Sequence, residues 1–193
     1  SQTEPATASD ITTDPLTTDS VAALLAQALP PMPRHPNPAA GQLVVVSAGP
    51  DDLSGRAVGR AGRCLIPAMV QVVAENIDES AGRSWAVLLL LQIPEGELTV
   101  AYPVAIVEEG FPEPPASQIA VQLLTAGGLQ AFQGVEGVTE VYAFDDELSG
   151  RFAITVHDLN SDQLVQVAGS FQGLPLTALS AEQCLPAAAL GGA

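Results

Sequence analysis

The stretch "VTEVYAFDDELSGRFAITVHDLNSDQLVQVAGSF", residues 138–171, carries the clearest signal for the fold class. Within it, three short runs alternate apolar and polar side chains: 138–144, 150–158 and 163–171. In the middle run, Phe152, Ile154 and Val156 point to one face, because successive side chains of a strand point to opposite faces. Short polar segments of the kind that form turns separate the runs. The pattern predicts a three-stranded antiparallel meander.

More short strands precede this meander. After Gly41 the apolar pattern has a period of two, and we predict strands over these ranges: 42–48, 64–77 with a bend at Pro67, 83–93, 96–107 and 118–124. The turn signal "PEG" predicts that the third and fourth of these form a hairpin. We therefore predict a mainly β fold. It is an antiparallel β-sandwich or open barrel of about eight strands, with a short N-terminal helix and a Pro-rich extended arm.

An acidic string that ends in Gly-Arg occurs three times. Its copies are "DDLSGR" at 51–56, "DESAGR" at 78–83 and "DDELSGR" at 145–151. Each copy falls where one predicted strand ends and the next begins. Asp and Ser form local side-chain turns, and Gly supplies a positive φ. We interpret the string as a chain corner, whose Arg can pair with nearby carboxylates at the surface.

The first 40 residues differ in composition from the rest of the chain. Residues 1–20 are polar and Thr-rich, and a short amphipathic helix follows them. The apolar stripe of this helix comprises Val21, Leu24, Leu25 and Leu29. The spacer "PPMPRHPNP", residues 30–38, continues as an extended segment. A helix this short needs support from its own domain or from a neighbour. We predict that the four apolar residues dock on a protein partner or take part in self-assembly.

The length of the chain suits one core. The chain has 193 residues, of which 47% are hydrophobic. Divided between two domains, it would give each too little apolar surface to bury. We divide the chain into an N-terminal arm at 1–40, a β-sandwich domain at 41–186 and a C-terminal tail at 187–193.

The chain is strongly acidic. It has 22 acidic residues against 6 basic ones, which gives a net charge of −16. Such a field repels phosphate backbones and anionic headgroups, so nucleic acid and anionic lipid are disfavoured partners. The plain interpretation is solubility, and the alternative is an acidic recognition surface.

Two cysteines, Cys64 and Cys184, lie far apart in the sequence and outside any CxxC motif. Neither has a neighbouring histidine, so metal binding and thiol catalysis are poor interpretations. We predict a structural disulfide between them, with two buried free thiols as the alternative. A disulfide would place the protein outside the cytosol.

The segments that flank the domain bear on the compartment. The longest apolar run, 85–91, has the length of a buried strand, so we predict no transmembrane segment. The opening residues lack the features of a signal peptide, which fits either a cytosolic start or a chain already trimmed. Their composition is that of a tether after a processing site, including the acylated Cys of a bacterial lipoprotein. We expect an extracellular or cell-envelope protein, with a lipid anchor at the N-terminus as one option.

Possible cation sites are weak. "DLNSDQ", residues 158–163, begins like a calcium loop, but the later positions hold Gln163 and Gly169 where Gly and Glu are required. The acidic trio at 145–147 would need carboxylates from another loop. We therefore assign no metal-binding or cofactor-binding residues.

No catalytic set is evident either. His157 is the only plausible base, and we interpret it as a surface histidine on the solvent side of its strand. The segment "GRAVGRAGR", residues 55–63, lacks the ending of a phosphate loop. We interpret it as a solvated basic loop, with a counter-surface for an acidic partner as the alternative. No catalytic residue is assigned.

Residues 137–176 resemble the closing meander of small secreted or lipid-anchored bacterial β-sandwich proteins of uncharacterised function. The resemblance rests on the corner "LSGRF" and the final strand "VQVAGSFQGLPL". It covers about a fifth of the chain and implies a fold and an envelope location. It implies no activity.

Three functions follow from these observations as hypotheses. The first is a non-enzymatic structural or accessory subunit of an envelope or extracellular assembly, docking through its N-terminal arm. The second is a secreted module that binds a small ligand or Ca²⁺ through the loops at 108–117 and 145–147. The third is a hydrolase whose carboxylates are brought together only by the fold.

Overall fold

One helix and nine strands make up the described part of the chain. The computed structural model describes residues 18–26, 28–66, 68–78, 82–94, 101–106 and 112–184. The helix α1 spans Thr18–Leu25. The strands are β1 Gln42–Ala48, β2 Gly55–Cys64, β3 Met69–Asp78, β4 Arg83–Gln92, β5 Ala101–Pro103, β6 Ala116–Thr125, β7 Gly128–Phe144, β8 Glu147–Asp158 and β9 Leu164–Ala178.

Eight of these strands close into one antiparallel up-and-down barrel. Strands β1 to β4 and β6 to β9 follow each other around the sheet, and β9 pairs with β1, with Val44 opposite Ser170. The extra strand β5 pairs with β7. Beyond the start of β1, the end of β9 pairs in parallel with β2. The prediction of a mainly β, antiparallel fold with one short helix is confirmed. The sequence allowed either a sandwich or an open barrel, and the structure has a closed barrel.

Side chains fill the interior of the barrel. Its buried cluster draws on every strand of the closed sheet, and its largest aromatic members include Trp85, Phe132, Phe152 and Phe171. Glycines give these residues room. A Cβ added at Gly169 would lie 2.1 Å from Cζ of Phe152. The packing therefore depends on small residues opposite large ones.

The prediction of a loop at 55–63 is wrong, because these residues form most of strand β2. Ala57 and Ala61 face the interior, whereas Arg56 and Arg60 are exposed. A Cβ at Gly59 would lie 2.7 Å from Leu174, so the inner side of β2 has to be small. The sequence of β2 does not show a clear alternation of large apolar and polar residues, because its inward residues are Gly and Ala. The strand predicted at 64–77 is two elements, because β2 ends at Cys64 and β3 begins at Met69 after a turn.

The predicted hairpin between 83–93 and 96–107 is also wrong. Along nearly its full length, β4 pairs with β6, from Ser84 opposite Leu124 to Gln92 opposite Ala116. Its second edge pairs with β3, so both edges of β4 are occupied. In the described part of the predicted partner strand, residues 101–106, the regular element is the short β5, which pairs with β7. Residues 95–100 lie outside the described part.

Candidate functional site

The first acidic corner is clamped by the arginine of the second. Arg83 Nη2 donates to the carbonyl oxygens of Asp52 at 2.7 Å and Ser54 at 3.1 Å. The Asp52 carboxylate accepts from Ser54 N at 2.9 Å. This backbone hydrogen bond is the main reason why the pKa of Asp52 lies below its ordinary value. Trp85 Nε1 donates to Leu53 O at 2.9 Å, so the corner seals this end of the barrel. The corner is structural.

Two further arginines, one of them a corner arginine, form ion pairs within the chain. Arg151 forms an ion pair with Glu140 on the neighbouring strand β7. Arg60, from the basic segment of β2, pairs with Glu75 at 2.9 Å. All four side chains are substantially exposed, so each pair contributes little to stability. The predicted pairing of a corner arginine with a carboxylate is confirmed at Arg151.

The acidic loops do not assemble a cation site in the part of the chain that the structure describes. Asp158 instead organises its own turn, accepting from Asn160 N at 2.9 Å and Ser161 Oγ at 2.8 Å. Asp145, Asp146 and Glu147 are exposed. Among the described residues, no three His, Cys, Asp or Glu side chains are grouped as metal ligands. Of the loop predicted at 108–117, residues 108–111 lie outside the described part.

The prediction of a solvent-exposed His157 is wrong. The residue alternates with the inward-facing Val156, as predicted, yet its side chain is only 7% exposed. Both ring nitrogens lack a hydrogen-bond partner, and so does Nε2 of Gln133, which lies opposite on β7. Burial lowers the pKa of His157 and outweighs the opposite effect of Asp162 and Asp158.

The helix α1 packs against the barrel close to this histidine. Val21 is buried in a cluster with Val135 and Leu164, and the partly buried side chains packed against that cluster are Leu24, Leu25, Leu29 and Ile106. Leu164 lies directly opposite His157 across β8 and β9. The helix ends at Leu25, so Leu29 follows the helix and is not part of its stripe as predicted. All four apolar residues nevertheless pack on their own domain. Docking of a partner through Val21, Leu24, Leu25 and Leu29 stays a prediction, which would require contact beside the helix or its displacement.

His157 should make the fold sensitive to acid. A histidine whose native pKa lies below its unfolded value binds fewer protons when folded. Its contribution to stability therefore falls as the pH drops below about 6.5 and towards the native pKa. When the pH is lowered from about 7 to about 5, we expect the melting temperature of His157→Gln to fall less than that of the wild type. The exposed His35→Gln variant is the control and should follow the wild type. Parallel melting curves for His157→Gln and the wild type would contradict the burial of an unpaired imidazole.

The disulfide between Cys64 and Cys184 is present, as predicted. It fastens the segment after β9 to the outer side of the barrel. Leu179 N donates to Arg63 O at 2.9 Å, and a Cβ at Gly62 would lie 2.3 Å from Leu179 Cδ1. Cys64 is buried together with Met69 and Leu90. A disulfide is compatible with an extracellular or envelope location.

One outer face of the barrel carries no charge. The outward-facing residues of β4, β6 and the beginning of β7, which we call the uncharged face, are Ser84, Ala86, Leu88, Leu90, Gln92, Gln118, Ala120, Gln122, Leu124, Leu129, Ala131 and Gln133. At one end Leu124 and Leu129 are about half exposed, and at the other Leu90 and Gln118 are buried. The sequence did hold a signal for this face. The continuous apolar run 85–91 lacks the alternation of a strand with one wet side.

The fold and its surface define a class: a closed, eight-stranded up-and-down barrel with a packed interior and an uncharged outer face. No family model, curated protein or solved structure significantly matches this chain. None of the helices in the described part is long and apolar enough to span a membrane.

Proposed function

We propose that this chain is a non-enzymatic structural or accessory subunit of an envelope or extracellular assembly. The observation that carries the proposal is the filled interior of the barrel. Trp85 on β4 reaches Gly55 on β2, where a Cβ would lie 2.7 Å from two indole carbons, although β2 and β4 are not neighbours in the sheet. Barrels that carry small ligands keep a cavity in this position. Recognition by this barrel therefore belongs to its outer surface and to its N-terminal arm.

In this proposal the partner binds the N-terminal arm while α1 stays packed on the barrel. Val21 is buried against Val135 and Leu164, so α1 is an anchor that fixes the arm to the barrel. The chain then runs from residue 28 to 39 without helix or strand and enters β1 at Gln42. Within this run Pro30, Pro33 and Pro36 are partly buried, at the three-residue spacing of a polyproline helix that rests one side on a surface. In the proposal, the partner contacts the arm where it lies on the barrel.

The location rests on the disulfide and on the resemblance of residues 137–176 to secreted and lipid-anchored bacterial proteins. Disulfides persist in oxidising compartments. A net charge of −16 keeps an exported protein soluble. A lipid anchor at the N-terminus remains part of the proposal.

The test is co-purification from the native source with a pair of matched variants. Val21→Asp places a charge in the buried seat of α1, whereas Ala22→Asp places it at an exposed position of the same helix. We expect the wild type and Ala22→Asp to migrate with a stoichiometric protein companion in native mass measurements. Val21→Asp should lose at least nine-tenths of that companion, because the arm is no longer held on the barrel. A wild-type chain found alone, or a companion retained equally by both variants, would contradict docking through the arm.

A further inference from the structure

The uncharged face is one of two charge-free parts of the outer sheet, and the other, on β1 and β9, is largely buried. Charged residues make up 15% of the sequence, and a sheet face that meets water is normally polar or charged. Yet the twelve outward positions of the uncharged face include no Asp, Glu or Arg. The neighbouring strands behave differently, since β2 and β3 present Arg56, Arg60 and Glu75 to the outside. A surface that avoids charge in so acidic a protein is suited to burial.

The exposed end of this face is apolar and continuous. The strand registers place Leu129 opposite Leu124, Leu124 opposite Ser84, and Ser84 opposite Ile77 on β3. The exposed fractions of the three apolar side chains are 52% for Leu129, 49% for Leu124 and 68% for Ile77. The adjoining row contains Ala86 and Ala131, which are partly buried, and ends at the exposed Glu75 of β3. Side chains as small as alanine allow close approach of another surface.

We propose that the exposed end of the uncharged face binds a second copy of the chain in a two-fold symmetric dimer. In such a dimer the same patch lies on both sides, so the patch has to complement itself. A patch with uncharged side chains at its centre and Glu75 only at its edge meets this condition, and Gln122 and Ser84 can supply self-complementary hydrogen bonds.

The size of the patch sets the expected strength. Three half-exposed aliphatic side chains and their small neighbours form a patch on the order of a few hundred Å², which is in the range of functional patches on soluble proteins. Together with a polar rim, it matches an interface at the low end, below about 1,200 Å² in total. The dimer is therefore concentration-dependent and exchanges with the monomer.

The effect of salt on the dissociation constant distinguishes an apolar interface from one built on ion pairs. The net charges of two copies repel each other, and salt screens this repulsion over a Debye length of about 10 Å at 0.1 M and about 3 Å at 1 M. Apolar contacts do not weaken on addition of sodium chloride in this range. The dissociation constant of the dimer therefore decreases as salt is added. An interface built on ion pairs, such as one that uses Arg56 and Arg60, shows the opposite dependence.

Sedimentation equilibrium of the full chain, from micromolar to millimolar concentration at low and at high sodium chloride, tests the proposal. Leu124→Asp adds a charge to the patch, and Ile66→Asp makes the same kind of change at an 88% exposed residue in the β2–β3 turn. We expect the wild type and Ile66→Asp to form a dimer that salt strengthens. Leu124→Asp should raise the dissociation constant at least tenfold. The exposed Gln122→Glu variant, which leaves the apolar packing intact, should weaken the dimer in the same direction.

Three results would overturn the proposal. They are a chain that stays monomeric at every concentration and salt level, a dimer that salt weakens, and equal dissociation constants for Leu124→Asp and Ile66→Asp with an unchanged Gln122→Glu. Circular dichroism shows whether each variant is folded, and Gln122→Glu decides the matter if Leu124→Asp is not. The proposal is independent of the proposed function, because self-association and a companion protein are separate species in a mass measurement.

Discussion

Removal of the disulfide should lower the free energy of unfolding by about 4 to 5 kcal/mol, since a crosslink over a loop of about 100 residues or more restricts the unfolded chain by that amount. Cys64 and Cys184 are 120 residues apart in sequence. The crosslink also holds the segment after β9 on the barrel, where Leu179 covers Gly62. The variant with both cysteines replaced by Ala should show this loss in urea unfolding, with the free energy extrapolated to water.

Reductant supplies the control for this prediction. The wild type should lose most of the same free energy when dithiothreitol is added, whereas the double variant should not respond. Part of the loss in the variant comes from the cavity at Cys64, which is 1% exposed, and the reduced wild type does not have this cavity. A loss below about 1 kcal/mol in both experiments would mean that the end of the chain is restricted without the crosslink.

Overpacking at Gly169 is the second large effect. A Cβ there would lie 2.1 Å from Cζ of Phe152, in a barrel interior that has no room to shift the ring. We expect Gly169→Ala to destabilise the protein by about 1 to 3 kcal/mol. Phe152→Ala should cost about 3 to 5 kcal/mol, because it removes a fully buried ring. Both values can be measured by urea unfolding.

The double variant gives the sharper test. In the Phe152→Ala background the added methyl meets no ring, so Gly169→Ala should have almost no further effect, and the two changes should be non-additive by about 1 to 3 kcal/mol. Gly127→Ala, in the β6–β7 turn, is the matched control. The nearest atom to its Cβ would be 3.5 Å away, and we expect a change within about 0.5 kcal/mol. Additive effects of the two core changes would mean that Phe152 does not point at Gly169.

Much of the meander could be predicted from sequence, because its periodicity is carried by large side chains. Phe152, Ile154 and Val156 face the interior as the alternation requires. Residues 51–54 and 145–146 connect strands as predicted, but Gly55 and Gly150 lie inside β2 and β8 and do not have the predicted positive φ. The disulfide joins the only two cysteines. Each of the correctly predicted features is encoded within a few neighbouring residues or has one possible partner.

The parts that could not be predicted depend on residues far apart in sequence. The inward-facing residues of β2 include Gly59 and Ala61. They have to be small because Leu174 and other side chains from distant parts of the sequence fill the space beside them. The pairing of β4 with β6 passes over a long connection, against the local signal for a hairpin. Closure through β1 and β9 joins the two ends of the domain. Local propensity carries no information on such pairings.

The candidate surfaces show the same limit. His157 was correctly placed on the outward side of its strand, but its burial depends on what lies over that strand. The apolar stripe of α1 could be predicted, but the sequence allowed it to pack either on its own domain or on a neighbour. In the structure it packs on Val135 and Leu164. The uncharged face comes from three strands that are adjacent only in the closed sheet.

A closed and solid barrel, with recognition on its outside, underlies both the proposed function and the proposed dimer. Nuclear Overhauser contacts in the full chain report on closure and filling together. We predict contacts between the backbone protons of Val44 and Ser170, which join β1 to β9, and contacts from the indole ring of Trp85 to the α-protons of Gly55, which join the non-neighbouring strands β4 and β2. A sheet that lacks the contacts between β1 and β9, or a Trp85 ring remote from Gly55, would mean an open or hollow barrel and would refute a solid one.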